Sequence, residues 1–364
     1  MNYRHLIKNS KSENIRYGKK YCFLTLIFIQ GIAIALLFIN TTALAATVNP
    51  CPQGMAIISG GTFKMGSDNS SFVEERSPGD VTVTNFCIDK YEVTNAQFGE
   101  FVKATGYVTV AERPLSEEQF PDLPDEQRLP GSLVFEMAKP SVKQVSFLSW
   151  WHWTTGANWQ HPFGPDSAIA SKSNYPVVHI AYEDALAYAK WSGKSLPTEA
   201  QWEYAARGGL DGATYAWGNE YSEHRANTWQ GIFPFFNTKA DGHLGIAPVG
   251  SFGPNGYGLY DMTGNVWEWT TDFFQVGHDR KSRQINPIAL NQSFDPKKPD
   301  ESKLHVIKGG SYLCAPNYCS RFRPAARESE SPDTGTTHIG FRLVKNLADS
   351  STLRLMSNNN GTTD

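Results

Sequence analysis

Residues 210–270 place the tightest limit on how this chain folds. They are rich in Gly, Asn and Trp and hold few runs of helical or strand period. Backbone polar groups in so long an ordered stretch cannot all be met by regular ladders. Side chains, waters or ions must meet them, and oxygen ligands for a cation are present in the same stretch. The whole composition agrees. With 31 Gly, 21 Pro, ten Trp and 13% aromatics, the chain reads as a loop-rich fold pinned by large rings, not a helical bundle. Its 364 residues allow one large domain or two medium ones, and 40% hydrophobic residues are ordinary for a soluble globular protein.

The N-terminus reads as an export signal. Arg4, Lys8, Lys11, Arg16, Lys19 and Lys20 precede the apolar run CFLTLIFIQGIAIALLFI (22–39), and Ala43-Leu44-Ala45 forms an A-x-A cleavage pattern. The run is marginal for spanning a membrane, so an uncleaved anchor is the alternative; the A-x-A pattern favours cleavage. Either way residues 46–347 are expected outside the cytoplasm, periplasmic or secreted. Without residues 1–45, 27 basic residues face 35 acidic ones, a formal charge of −8. No basic run is present, which argues against a nucleic-acid partner. The tail, 348–364, ends in SNNNGTTD and is expected to be disordered.

Export changes how the cysteines are read. Cys22 leaves with the signal. In an oxidising compartment Cys51 and Cys87 are a plausible disulfide tying the N-terminal part to a strand. Cys314 and Cys319 remain, with four residues between them, in HVIKGGSYLCAPNYCSRFRPAARESESPDTGTTHIGFRLVK (305–345). Two thiols this close, among Tyr312, Tyr318, Arg321, Arg323 and Arg327, suit a disulfide, a metal clamp or a nucleophile pair.

Secondary-structure signals are sparse. Residues 55–66 read as a strand, a Gly-Gly turn and a second strand; 81–91 and 339–344 read as strands. Thr94 with Gln97 forms a capping box, and the helix it opens should stop at Gly106. Residues 182–192 suit a helix stopped by Gly193. Thr198 with Gln201 caps another, ended by Gly208-Gly209. Residues 110–150 read as a long excursion with short helices. No internal repeat is present. Short strands, about three helices and much ordered loop give an α+β class.

PTEAQWEYAARGG (197–209), ANTWQG (226–231), NGYGLYDMTGNVWEWT (255–270), KGGSY (308–312) and GFRLV (340–344) resemble the formylglycine-generating enzyme, or sulfatase-modifying factor, family. The resemblance covers about residues 53–345 in family order and implies a low-regularity α+β fold related to C-type lectins. Within it, GGSYLCAPNYCSRFRPAAR (309–327) resembles the GGSYxCxxxYCxRxRxAAR segment of the catalytic members, and GANWQHPFGP (156–165) matches the same branch. Many relatives lack both thiols.

The resemblance implies an oxidase. A cysteine in a Cys-x-Pro-x-Arg motif of an unfolded sulfatase is converted by dioxygen, with a thiol reductant, to Cα-formylglycine. The implied cofactor is copper(I), held by Cys314 and Cys319; soft thiolates select that ion over zinc or magnesium. Ser311 matches the family's active-site serine and is the expected positioning residue for substrate or dioxygen, with Tyr318 and Trp267 lining the pocket. Arg321, Arg323 and Arg327 either stabilise thiolates or form structural ion pairs.

Structural calcium is implied too. One site would use the Asn227 and Asp241 side chains with the carbonyls of Thr228 and His243. A second would use Asp261 and Glu268 with the carbonyls of Gly264 and Val266. His161, His179 and His338 lack a metal-ligand spacing and read as structural or groove residues. Two rival readings remain: a non-catalytic binding or accessory module of the same fold with a structural Cys314–Cys319 disulfide, and an oxidase of another thiol substrate.

Overall fold

Alternating apolar residues make short strands, and several of these find partners far along the chain, as Val344–Asn346 does with Phe86–Asp89 and Ile339–Gly340 with Trp267–Phe273. The computed structural model describes residues 49–117, 121–139, 146–278, 284–290, 292–299, 301 and 303–347. The described residues all belong to one compact unit. The expected signal over 1–45 and tail from 348 lie outside the described residues. Among the described residues no helix is long and apolar enough to cross a membrane.

In chain order the strands and helices are β1 (Met55–Ile58), β2 (Gly61–Met65), β3 (Gly79–Val83), β4 (Phe86–Asp89), α1 (Asn95–Thr105), β5 (Gly131–Phe135), β6 (Trp151–Thr155), α2 (Tyr182–Trp191), α3 (Glu199–Arg207), β7 (Gly231–Ile232), β8 (Phe236–Asn237), β9 (Trp267–Phe273), β10 (Gln284–Ile285), β11 (His305–Lys308), β12 (Arg327–Glu330), β13 (Ile339–Gly340) and β14 (Val344–Asn346). They pair as β1-β4-β14, β10-β3-β2, β12-β11-β9-β13, β5-β6 and β7-β8.

The helices start and stop at the residues that cap them. Gln97 N donates to Thr94 Oγ1 at 3.3 Å and Gln201 N donates to Thr198 Oγ1 at 3.1 Å. Gly106 and Gly208 close α1 and α3 at φ of 67° and 56°. The strands depart from expectation. The single strand expected over 81–91 is two, β3 and β4, in different sheets, and 339–344 divides likewise into β13 and β14. Thr84-Asn85 and Phe341–Leu343 fall outside the strands and separate the two halves of each run, so one apolar run serves two sheets. The excursion 110–150 does hold short 3-10 turns, at Val110–Glu112 and Asp125–Gln127, but also contributes β5, which pairs along its length with β6.

Two apolar clusters surround the four-stranded sheet. In one, Phe98 and Phe101 of α1 and Tyr188 of α2 pack with Trp267, Trp269 and Phe341. In the other, Ala200, Trp202 and Ala205 of α3 pack on Phe63, Val81, Phe86 and Ile88. Cys51 and Cys87 are joined, with Cα atoms 5.5 Å apart, and fix the start of this unit to β4.

Candidate functional site

The cysteine loop is a turn built from the end of β11. Gly309 and Gly310 follow Lys308 with φ of 95° and 73°. A Cβ on Gly310 would sit 2.8 Å from Arg321 O, so only glycine fits where the two arms of the loop cross. Cys314 N donates to Ser311 O at 2.9 Å, and Trp229 N donates to Cys314 O at 3.0 Å. Then Tyr318, Cys319 and Ser320 all donate their N–H to Ala315 O, at 3.1, 3.0 and 3.0 Å. That convergence folds Cys319 back onto Cys314. The two are joined, with Cα atoms 5.0 Å apart. Cys314 is 2% exposed, whereas Cys319 is half-buried and packs against the core cluster that Cys314 joins.

Both sulfurs open into a cleft of about 330 Å³ that Ser311, Trp267 and Tyr318 also line. The four residues expected from the sequence to surround the reaction therefore converge with Cys319 at one place. Ser311 is fully buried, and its Oγ accepts from Leu313 N at 3.2 Å. Tyr318 is 55% exposed and stacks on Phe233 at 4.2 Å, forming a rim. Burial raises its pKa, so the phenol stays neutral. Trp151, the first residue of β6, and Trp150 just before it also line the cleft. The ring-rich run Ser149-Trp150-Trp151-His152-Trp153 was the available signal for this lining, but nothing local says which rings face the thiols.

The arginines near the loop hold structure together. Arg321 meets Glu74 at 2.7 Å and Glu328 at 3.0 Å; Arg323 meets Glu75 at 2.7 Å; Arg327 meets Glu199 at 2.8 Å. Of the three, Arg321 lines the cleft. The three histidines singled out in the sequence each have a hydrogen-bond partner. His161 Nδ1 lies 2.6 Å from Ser167 O, and buried His179 bonds Ser132 Oγ and Pro162 O, both at 2.8 Å. His338 lines the cleft, lies tilted against Trp151 with ring centroids 4.8 Å apart, and bonds Thr336 Oγ1 through Nδ1. Burial, then neighbouring His179, holds its pKa down to about 3, so it is neutral. A larger cavity of about 520 Å³ lies beside Glu199, Asp272 and Arg327, but no thiol lines it.

The residues of both expected calcium groups lie between Asn227 and Glu268, in the loops before β9 and, for Glu268, in β9 itself. Asp241 accepts from Thr228 N at 3.3 Å and His243 N at 2.9 Å. Asn227 Nδ2 donates to Gly245 O and Asn265 Oδ1, both at 3.0 Å, which leaves its Oδ1 as the end open to a cation. In the second group Asp261 stands at φ 54° and accepts from Gly250 N at 2.6 Å. Gly264, at φ 80°, presses on Asn227 O, where a Cβ would collide. Val266, just before β9, is fully buried. Glu268 is already committed: it accepts from Trp202 Nε1 at 2.7 Å and from Arg342 Nε and Nη2, each at 2.7 Å. Among the described residues no three His, Cys, Asp or Glu side chains converge as a metal cage. The ligand sets suit a hard ion held largely by carbonyl and amide oxygens. Asn265 couples everything: it meets Asn227, accepts Ala247 N at 2.9 Å, and its carbonyl receives Tyr312 N at 2.9 Å.

A family model described as "Sulfatase-modifying factor enzyme 1-like domain" matches residues 41–347. The chain belongs to this family. A relative from Mycobacterium tuberculosis named "Formylglycine-generating enzyme" is 51% identical over 292 residues, 78% of this chain and 95% of its own length. The family member of that name from Mus musculus is 45% identical over 296 residues, covering 80% and 74%. One from Bos taurus, named "Inactive C-alpha-formylglycine-generating enzyme 2", is 37% identical over 294 residues, covering 80% and 87%. The fold matches the solved structure of PvdO from Pseudomonas aeruginosa with a TM-score of 0.55 at 24% identity, over 80% of this chain and 94% of that one. The α+β, loop-rich fold expected for the sulfatase-modifying factor family is the one observed.

Proposed function

We propose that this chain converts a cysteine in a Cys-x-Pro-x-Arg segment of an unfolded sulfatase to Cα-formylglycine, with dioxygen as oxidant and a thiol as reductant. The observation that carries the reading is the meeting of Cys314, Cys319 and Ser311 in one ring-walled cleft, in a chain 51% identical to an enzyme of that name. The balance is simple. The substrate carbon gives up two electrons and its sulfur leaves as sulfide; the reductant gives two more; dioxygen takes all four, one oxygen ending in the aldehyde and the other in water.

Cys314 and Cys319, once reduced, would offer two soft thiolates side by side, a donor set that fits copper(I). When bound, that ion supplies the one-electron chemistry toward dioxygen that side chains lack. The protein's own residues do the rest. Buried Ser311 presents a hydroxyl to the reacting centre. Trp150, Trp151, Trp267 and Phe233 exclude water. Tyr318, on the rim, meets an extended peptide. Half-buried Cys319 admits the thiol reductant to the pair. The two oxygen-ligand groups are read as calcium sites that hold the loops beneath Tyr312 and Trp229, and through them Ser311 and Cys314. With the N-terminal segment read as an export signal, the enzyme would meet its target outside the cytoplasm while that target is still unfolded.

The test is mass spectrometry of a Cys-x-Pro-x-Arg peptide incubated in air with the protein, copper and a thiol reductant. A peptide aldehyde is expected from the intact protein and none from Cys314→Ser or Cys319→Ser. Copper binding without aldehyde would point to another thiol substrate. Neither copper nor aldehyde would leave a binding module with a structural disulfide.

A further inference from the structure

The cavity of about 520 Å³ beside Glu199 shares no lining residue with the cysteine cleft. Part of its wall is apolar and open to solvent: Ile285, Ile288 and Leu290 line it and are 65%, 42% and 54% exposed. Ile285 belongs to β10, an edge strand of its sheet. Three large aliphatic side chains within six residues, all at one cavity, are more than the scattered apolar residues of an ordinary surface. Another part of the wall is polar and buried. His278 lines it with a side chain 9% exposed. His278 Nδ1 lies 2.9 Å from Arg76 O, and a carbonyl only accepts, so Nδ1 carries the hydrogen. In the neutral ring Nε2 is then an acceptor, and it is buried with no hydrogen-bond partner. Glu199 Oε1, 3.4 Å away, accepts as well and cannot serve it. The cavity lacks an apolar cover and a hydrogen-bond donor, and a peptide segment brings both.

The chain's own C-terminus leaves the fold beside this cavity. Asn346 Oδ1 accepts from Gln201 Nε2 at 2.7 Å, and Gln201 follows Ala200, which lines the cavity. Leu347 N donates to Asn85 O at 3.5 Å. The residue before Asn85, Thr84, donates from its N to Asn286 Oδ1 at 2.8 Å, and Asn286 stands between Ile285 and Pro287, which both line the cavity. Seventeen residues follow Leu347: ADSSTLRLMSNNNGTTD. Their large apolar side chains are confined to Leu353, Leu355 and Met356. Six steps along an extended chain reach about 20 Å, enough to carry Leu353 from Leu347 to the open wall. In an extended segment Leu353 and Leu355 share one face, with Arg354 on the other.

We propose that Thr352-Leu353-Arg354-Leu355-Met356 docks in this cavity, with Leu353 and Leu355 against Ile285, Ile288 and Leu290 and a peptide N–H of the segment meeting His278 Nε2. Arg354 stays in water. The tail is then a strap that runs from the end of β14 past the start of α3 to β10, and only residues 357–364 keep the disorder expected of the whole tail.

The strap needs neither copper nor substrate, so it stands or falls apart from the oxidase reading. Hydrogen–deuterium exchange followed by mass spectrometry compares the full purified chain, a chain ending at Leu347, and the double variant Leu353→Ser/Leu355→Ser. In the full chain the amides of 284–290 should exchange roughly fivefold more slowly than in the other two, and those of 353–356 roughly fivefold more slowly than in the double variant. The double variant changes no residue of the described fold, so it keeps the test open if the shortened chain folds poorly. Adding the peptide 348–364 to the shortened chain should restore the protection. Protection that grows with protein concentration would assign the wall to a second copy of the chain. Equal exchange in all three chains would leave the tail undocked. Either result overturns the proposal.

Discussion

Asp272 shows how much a single buried carboxyl can decide. Its oxygens are filled by backbone donors, Glu199 N at 2.8 Å and Ala289 N at 2.9 Å. Burial, then the charge of Glu199, nevertheless raises its pKa from 3.8 to about 7. The folded protein therefore keeps a proton on Asp272 that the unfolded chain releases near pH 4. Stability must fall as pH rises through the interval between those values, and level off above it. Glu199 has the opposite shift: despite burial, Arg327 and Lys308 hold its pKa well below the usual range, so its contribution is lost only below about pH 4.5. Between pH 5 and 7 the slope from Asp272 is thus unopposed by Glu199. Wild-type melting temperature should drop across that window more than that of Asp272→Asn, in scans run side by side. Equal drops would mean that Asp272 titrates as an ordinary aspartate. Little of this was legible in the sequence. The motif around Cys314 marked its own residues, because thiols, glycines and a serine at fixed spacing carry chemistry locally. Asp272 looks like any other acid until tertiary contacts bury it.

At the scale of elements, legibility followed locality. Capping boxes and terminal glycines act within one turn, so α1, α2 and α3 stood where the sequence put them. Strands need distant partners, so the runs at 81–91 and 339–344 showed their alternation but not their division between sheets, and β5 was hidden inside an irregular excursion. The same locality makes α3 a good target. Thr198 Oγ1 accepts from Gln201 N, and Thr198 N donates to Gln201 Oε1 at 3.1 Å. The helix carries Glu199, Trp202 and Glu203 into contact with Arg327, Glu268 and Lys308. Thr198→Ala should cost about 1 kcal/mol, the usual value of a lost N-cap. In a domain of this size that is roughly 2–4 °C in melting temperature, measurable by calorimetry. A loss several-fold larger would mean that the cap also sets the register of the buried ion pairs.

The whole molecule carries two cysteine pairs with opposite designs. Cys51 and Cys87 are 8% and 0% exposed and close a separation of 36 residues. In the chain-entropy account such a loop contributes about 3–4 kcal/mol. Cys314 and Cys319 close a separation of five, for which the same account gives about 2 kcal/mol, and Cys319 meets the cleft. One pair anchors the N-terminal strand region; the other sits where a thiol can reach it. A thiolate reductant attacks the accessible sulfur first. Mild reduction of the native protein followed by alkylation should therefore label Cys314 and Cys319 and spare Cys51 and Cys87, as peptide mapping would show. The functional consequences should separate too. Replacing Cys51 and Cys87 together by alanine should lower stability to unfolding by urea by a few kcal/mol while leaving the rate of peptide conversion unchanged. Replacing Cys314 by serine should abolish conversion while leaving the melting temperature, measured in reductant, where wild type has it. If the Cys314–Cys319 bond resisted reductant as firmly as its counterpart, or if its loss cost stability and nothing else, the cleft would hold a second structural cross-link and the oxidase reading would fall.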